Sequence, residues 1–202
     1  MRGAVLAGGK ATRFEGRPKG LERVGGKRIL DRVVEAVWSA TGAAPVLIAN
    51  APEASGWRDD LEIVPDRLAD QGSLGGIYTA VTAGPGPVLL VAWDMPFVPE
   101  TLLEALVAGS KPYDVYLPDS GGRRGVEPLC GVYGPACEAA IRTSLEKGDR
   151  RAIGFHDAVR VGTLPRDAVA RHGEVSHMFF NVNTAGELSE AEDLWKKLAS
   201  SR

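Results

Sequence analysis

Two cations, Arg13 and Lys19, follow a Gly8-Gly9 turn that ends the first apolar run of the chain, and an aspartate, Asp94, ends the most continuous apolar run. Glycines carry no Cβ and can take φ > 0, so their backbone N–H groups can approach phosphate oxygens closely while Arg13 and Lys19 neutralise the charge. That is the start of a triphosphate site. Asp94 follows Pro87-Val88-Leu89-Leu90-Val91-Ala92-Trp93 and precedes Met95-Pro96. A hard oxygen ligand at a strand's carboxyl end, beside a triphosphate, implies Mg²⁺. The spacing matches neither G-x-x-x-x-G-K-[ST] nor G-x-G-x-x-G, which disfavours a kinase or a P-loop NTPase. A Gly-Gly turn with basic neighbours also suits an ordinary strand-to-helix connection, so the remaining residues must decide.

Asn50 after Val46–Ala49 and Asp66 after Ile63-Val64-Pro65 end apolar runs in the same way. An amide and a carboxylate suit a base edge or ribose hydroxyls, and a carboxylate can accept from the N1 and N2 protons of guanine. Gly72-Ser73-Leu74-Gly75-Gly76 leads into a helical pattern, either to flank a nucleotide with bare N–H groups or to let a helix pack closely. Arg150 and Arg151, after Gly148-Asp149, can hold a second anionic substrate. Asn181 and Asn183, in Phe179-Phe180-Asn181-Val182-Asn183-Thr184, fall on one side of an extended segment. Cys130 and Cys137 read as buried spectators, and His156, His172 and His177 have no metal-ligand spacing.

The elements that must position these groups follow from periodicity. β-type runs at 4–7, 46–49, 63–64, 88–92, 115–117 and 129–133 alternate with amphipathic segments at 29–39, 77–83, 102–108 and 136–145. This predicts an α/β, three-layer, Rossmann-like domain spanning 1–202, with a mostly parallel sheet covered by helices on both faces. Gly42 and Gly109 are placed as helix C-caps, Pro99 in a first turn, and Asp119–Gly125 in a mobile turn. Thr184 and Glu187 form a capping box before a last helix whose Leu188, Ala191, Trp195 and Leu198 are expected to close the core. A formal charge of -2 offers no polycation for nucleic acid or an anionic membrane, and no apolar run reaches spanning length, so a cytoplasmic protein is expected.

Together these motifs, in this order along nearly the whole chain, resemble the molybdenum cofactor guanylyltransferase family of nucleotidyltransferases. The resemblance implies transfer of GMP from MgGTP to the terminal phosphate of molybdopterin or its molybdenum-loaded form, releasing pyrophosphate. It implies that Leu6, Ala7, Gly8, Lys19, Asn50, Asp66 and Asp94 contact GTP, that Asp94 ligates Mg²⁺, and that Asn181 and Asn183 face the pterin. Other proteins of molybdenum cofactor biosynthesis are implied as partners. Trp93 stands where the family often has a small residue or cysteine, Glu127 where histidine is common, and Ala185-Gly186 replaces a usual Pro-Glu. A cytidylyl counterpart, a sugar-phosphate nucleotidylyltransferase and a non-catalytic nucleotide-sensing domain are the alternatives.

Overall fold

A computed structural model describes residues 1–8, 18–122 and 125–200. Its centre is a seven-stranded sheet of order β5-β4-β1-β6-β8-β7-β9. The strands are β1 (Arg2–Leu6), β4 (Val46–Ile48), β5 (Ile63–Val64), β6 (Val88–Ala92), β7 (Val115–Pro118), β8 (Cys130–Tyr133) and β9 (Val161–Leu164). A two-stranded ribbon, β2 (Arg23–Val24) and β3 (Lys27–Arg28), stands apart from the sheet. Four of the six sheet pairings are parallel; β8 runs antiparallel to both β6 and β7.

The strands are apolar on both sides because both sides are covered, and their residues alternate between two cores. Val5, Leu47, Leu89 and Val91 face one core with α1 (Ile29–Thr41) and α3 (Glu100–Gly109). Ala4, Leu6, Ile48 and Leu90 face the other with α2 (Gly72–Thr82) and α4 (Cys137–Glu146). Close approach of helix and sheet has a visible cause at two glycines. A Cβ on Gly3 would lie 2.6 Å from Val37 Cγ1, and one on Gly76 would lie 2.4 Å from Leu6 Cδ1.

Several expectations need correction. Gly42 does cap α1, with φ 74 and its N–H on Trp38 O at 2.8 Å. Gly109 does not: it is the last residue of α3, and a Cβ there would lie 2.7 Å from the Tyr116 ring. Pro99 sits just before α3, not inside its first turn. Gly75 and Gly76 lie inside α2 and serve its packing, which leaves only Gly72-Ser73 exposed at the helix start. The flanks of the 119–125 turn are closed by a bridge between Asp119 and Val126 and by Gly125 N–H to Gly122 O at 2.8 Å, while Arg123 and Arg124 lie outside the described residues.

The capping box at Thr184 is real, with Glu187 N–H on Thr184 Oγ1 at 3.2 Å. Its helix, α7 (Ala185–Ser200), covers the ribbon and not the main sheet. Val24, Ile29, Val182 and Ala191 form a small cluster there, and Trp195 packs beneath Gly25 with the Arg32 guanidinium 3.9 Å from its ring centre. Two short helices, α5 (Arg166–Val169) and α6 (Val175–Met178), connect β9 to the segment preceding α7. Among the described residues, no helix is long and apolar enough to cross a membrane.

Candidate active site

The order of the strands determines where the site must lie. From β1 the chain moves to β4 and β5 through α1 on one face, then returns by α2 on the other face to β6, which pairs with the opposite edge of β1. The connections diverge between β1 and β6, and a crevice opens beyond the carboxyl ends of those two strands. Ala7-Gly8 leave β1 at this point and Trp93-Asp94 leave β6. Trp93 N–H on Leu6 O at 3.1 Å ties the two exits together, and Ala7 N–H on Ile48 O at 2.9 Å holds the first of them to β4. Gly8 does not adopt a positive φ, and a Cβ there would meet none of the described residues within 4 Å. Gly9 and Arg13 lie outside the described residues.

Lys19 starts a single 3₁₀ turn, Lys19–Leu21, that closes with Leu21 N–H on Pro18 O at 3.0 Å. Its ammonium donates to Asp94 Oδ2 at 2.5 Å and to Asn183 Oδ1 at 2.6 Å. Both partners of the ion pair are largely shielded, with side-chain exposures of 16% and 13%. The second carboxylate oxygen, Asp94 Oδ1, is buried and has no hydrogen-bond partner among the described residues. A buried carboxylate oxygen without a donor is costly, which makes it a natural seat for a cation. No group of three or more His, Cys, Asp or Glu among the described residues could hold a metal ion. One carboxylate oxygen, supplemented by substrate phosphates and water, fits Mg²⁺, which is commonly held by one or two carboxylates.

The turn bearing Lys19 is seated by residues whose role the sequence did not reveal. Gly20 lies against Trp93: a Cβ there would be 2.2 Å from Trp93 Cε3. Trp93 in turn stacks on Trp57, with ring centres 5.0 Å apart and planes 23° from parallel. The repeated glycines drew attention to phosphate approach, while nothing in the sequence spacing connects positions 20, 57 and 93.

Asn50 and Asp66 do come together, through a reciprocal pair. Asn50 Nδ2 donates to Asp66 Oδ2 and Asp66 N–H donates to Asn50 Oδ1, each at 2.7 Å. Fully buried Thr79, on α2, holds the same loop by accepting Arg67 N–H at 3.0 Å and donating to Gly75 O at 3.0 Å. Among the described residues, Asp66 Oδ1 has only a 3.5 Å contact from Thr79 Oγ1.

The adjacent arginines separate. Arg150 Nε donates to Gln71 Oε1 at 3.1 Å, beside the start of α2, whereas Arg151 turns back onto Asp149 and pairs at 2.6 Å. The hydrogen bond from Arg151 pulls the Asp149 carboxyl down to about 2. Asn181 and Asn183 also diverge, because their segment is not a strand. Asn181 Nδ2 donates to Phe179 O at 3.0 Å, while Asn183 reaches Lys19. Glu127 turns its carboxylate toward its own backbone and accepts Leu129 N–H at 3.1 Å. Burial pushes the Cys137 thiol up to about 12 and the Cys130 thiol further, so neither is a nucleophile at neutral pH.

Residues 3–160 match the family described as MobA-like NTP transferase domain. A probable molybdenum cofactor guanylyltransferase of Pelotomaculum thermopropionicum is 35% identical over 94% of this chain and 90% of its own length. A molybdenum cofactor guanylyltransferase of Desulfosudis oleivorans is 31% identical over 95% and 94%. Among solved structures, molybdopterin-guanine dinucleotide biosynthesis protein A of Archaeoglobus fulgidus superposes with a TM-score of 0.81 at 26% identity, covering 98% of this chain and all of that one.

Proposed function

The chain belongs to the MobA-like NTP transferase domain family, and from that premise we propose that it transfers GMP from GTP to the terminal phosphate of molybdopterin or its molybdenum-loaded form. An oxygen of the pterin phosphate attacks the α-phosphorus of GTP in line. The α–β bridging P–O bond breaks, and pyrophosphate departs. The absence of a reactive thiol fits this reading, because the acceptor phosphate is itself the nucleophile. The protein contributes positioning and charge.

The observation that carries this reading is the meeting of Lys19 and Asp94 at the divergence between β1 and β6, with Asp94 Oδ1 buried and unpartnered. Asp94 would hold Mg²⁺, which neutralises charge on the phosphates when bound. Lys19, and Arg13 from the undescribed segment, are assigned to the same phosphates, with Leu6, Ala7 and Gly8 lining them. Asn50 and Asp66 are assigned to the nucleoside, where Asp66 Oδ1 is free to accept from guanine. Arg150, beside Gln71 at the start of α2, is the better placed of the two arginines to meet the acceptor's phosphate, since Arg151 is neutralised by Asp149. Asn181 is assigned to the pterin side.

We place this activity in one nucleotidyltransferase domain over 1–202, acting in the cytoplasm and exchanging substrate or product with other proteins of molybdenum cofactor biosynthesis. Pyrophosphate release with Mg²⁺, molybdopterin and GTP, CTP, ATP or UTP in turn tests the reading. GTP is expected to exceed CTP in kcat/KM by at least about a hundredfold, because a site that hydrogen-bonds one base leaves buried groups unpaired with another. Equal rates with both nucleotides would refute the guanine assignment.

A further inference from the structure

The segment before α7 reaches into the phosphate side of the crevice. Among the described residues Lys19 Nζ has two acceptors, Asp94 Oδ2 at 2.5 Å and Asn183 Oδ1 at 2.6 Å. An ammonium has three donors in a fixed tetrahedral array, so two bonds in definite directions also determine where the third N–H points. Asn183 is itself held. The neighbouring Val182 is fully buried and donates its N–H to Asp94 O at 2.9 Å. Asn183 N–H donates to Glu187 Oε2 at 2.7 Å, and the same oxygen accepts from Thr184 Oγ1 at 3.1 Å. The capping group of α7 thus fixes an amide on a lysine 164 positions away.

We propose that Asn183 is a positioning residue for Lys19, directing the third ammonium proton toward the nucleotide phosphates, so that it serves the GTP half of the site and not the pterin half. This rests on the reading of the crevice as a GTP site. The residue type supports it. An amide oxygen orients the ammonium without cancelling its charge, whereas a second carboxylate beside Asp94 would surround one cation with two anions and repel phosphate.

Two measurements on the full chain test it. In the free protein, ¹⁵N NMR of the lysine ammonium groups follows exchange of the Lys19 protons with water. Asn183→Ala is expected to accelerate that exchange about tenfold, the loss of one charge-assisted hydrogen bond, whereas Asn183→Asp keeps the protons protected. Calorimetric titration with MgGTP is expected to show affinity about three- to tenfold weaker for Asn183→Ala. It should be weakened at least as much for Asn183→Asp, although the lysine is still held. In a Lys19→Ala background, Asn183→Ala should cost nothing further, because its effect passes through the missing lysine. Additive losses in the double variant would overturn the inference. So would unchanged GTP affinity with a raised KM for molybdopterin alone. A wild-type chain that fails to bind MgGTP would overturn the guanylyltransferase reading as well, and the NMR exchange rates would still report whether Asn183 restrains Lys19.

Discussion

Asp94 does two things with one carboxylate: Oδ2 holds Lys19, and Oδ1 waits without a donor in a buried position. Asp94→Asn keeps the shape and can still accept from Lys19, so a cooperative thermal melt is expected to persist. It removes the carboxylate proposed to hold Mg²⁺ in a shielded site, where such an electrostatic group is worth about 10² to 10³ in turnover. Pyrophosphate release at saturating Mg²⁺ and GTP measures this, and near-normal turnover in a folded variant would remove Asp94 from the metal. The thiols give the opposite expectation. Cys130 and Cys137 are buried and their pKa values are raised, so the native chain at pH 8 should leave a colorimetric disulfide reagent unreacted for hours. The unfolded chain should titrate both cysteines at once; a fast-reacting native thiol would show that the site opens or that burial is incomplete.

At the scale of elements, the 3₁₀ turn that presents Lys19 depends on a glycine whose reason lies elsewhere in the chain. Gly20→Ala would drive a methyl into the buried Trp93 ring, which is itself stacked on Trp57. Overpacking of this kind typically costs about 1–3 kcal/mol, and here the strain bears on the turn that aims the lysine. Both Tm and GTP affinity are expected to fall, and Trp93→Ala in the same chain should restore affinity while leaving stability low. A Gly20→Ala protein indistinguishable from wild type would show that the turn is not so seated. Short apolar runs bounded by turn residues and alternating with helical patterns made β1, β4, β5, β6, β7 and β8 readable. The reversal of β8 was not readable: Cys130–Tyr133 is equally apolar in either direction, and only pairing with β6 and β7 decides it. β9 was missed because Val161 and Thr163 are exposed at the sheet edge and give no buried run. The residues leaving strands, Asn50, Asp66 and Asp94, were legible because a polar group after an apolar strand has a predictable location. The shared side expected for Asn181 and Asn183 was misjudged, because an extended pattern was assumed where the chain instead turns the two amides apart.

At the scale of the molecule, the two cores share one sheet, and the crevice is built from loops that leave it at one end. A ligand bound there stabilises the folded chain as a whole. With MgGTP at a hundred times its dissociation constant, linkage contributes about 2.7 kcal/mol, which for a chain of this length raises Tm by about 5–10 °C. CTP at the same concentration, if it binds a hundredfold more weakly, should shift Tm by about 1 °C. Thermal melts with each nucleotide measure this without the pterin substrate, and equal shifts would reassign the base preference.

The reversed strand has a consequence for how such a protein diversifies. Because β8 runs against its neighbours, β7 ends and β8 begins at the same end of the sheet, and the connection between them is anchored by Asp119 against Val126 and by Ala92 N–H on Leu129 O at 2.8 Å. A parallel strand would have placed that connection's start and finish at opposite ends. Here, residues can be gained, lost or exchanged between Ser120 and Gly125 without shifting β1, β6 or the Lys19 turn. That connection is therefore open to evolutionary change, while the turns leaving β1 and β6 stay constrained by the pairing of those strands.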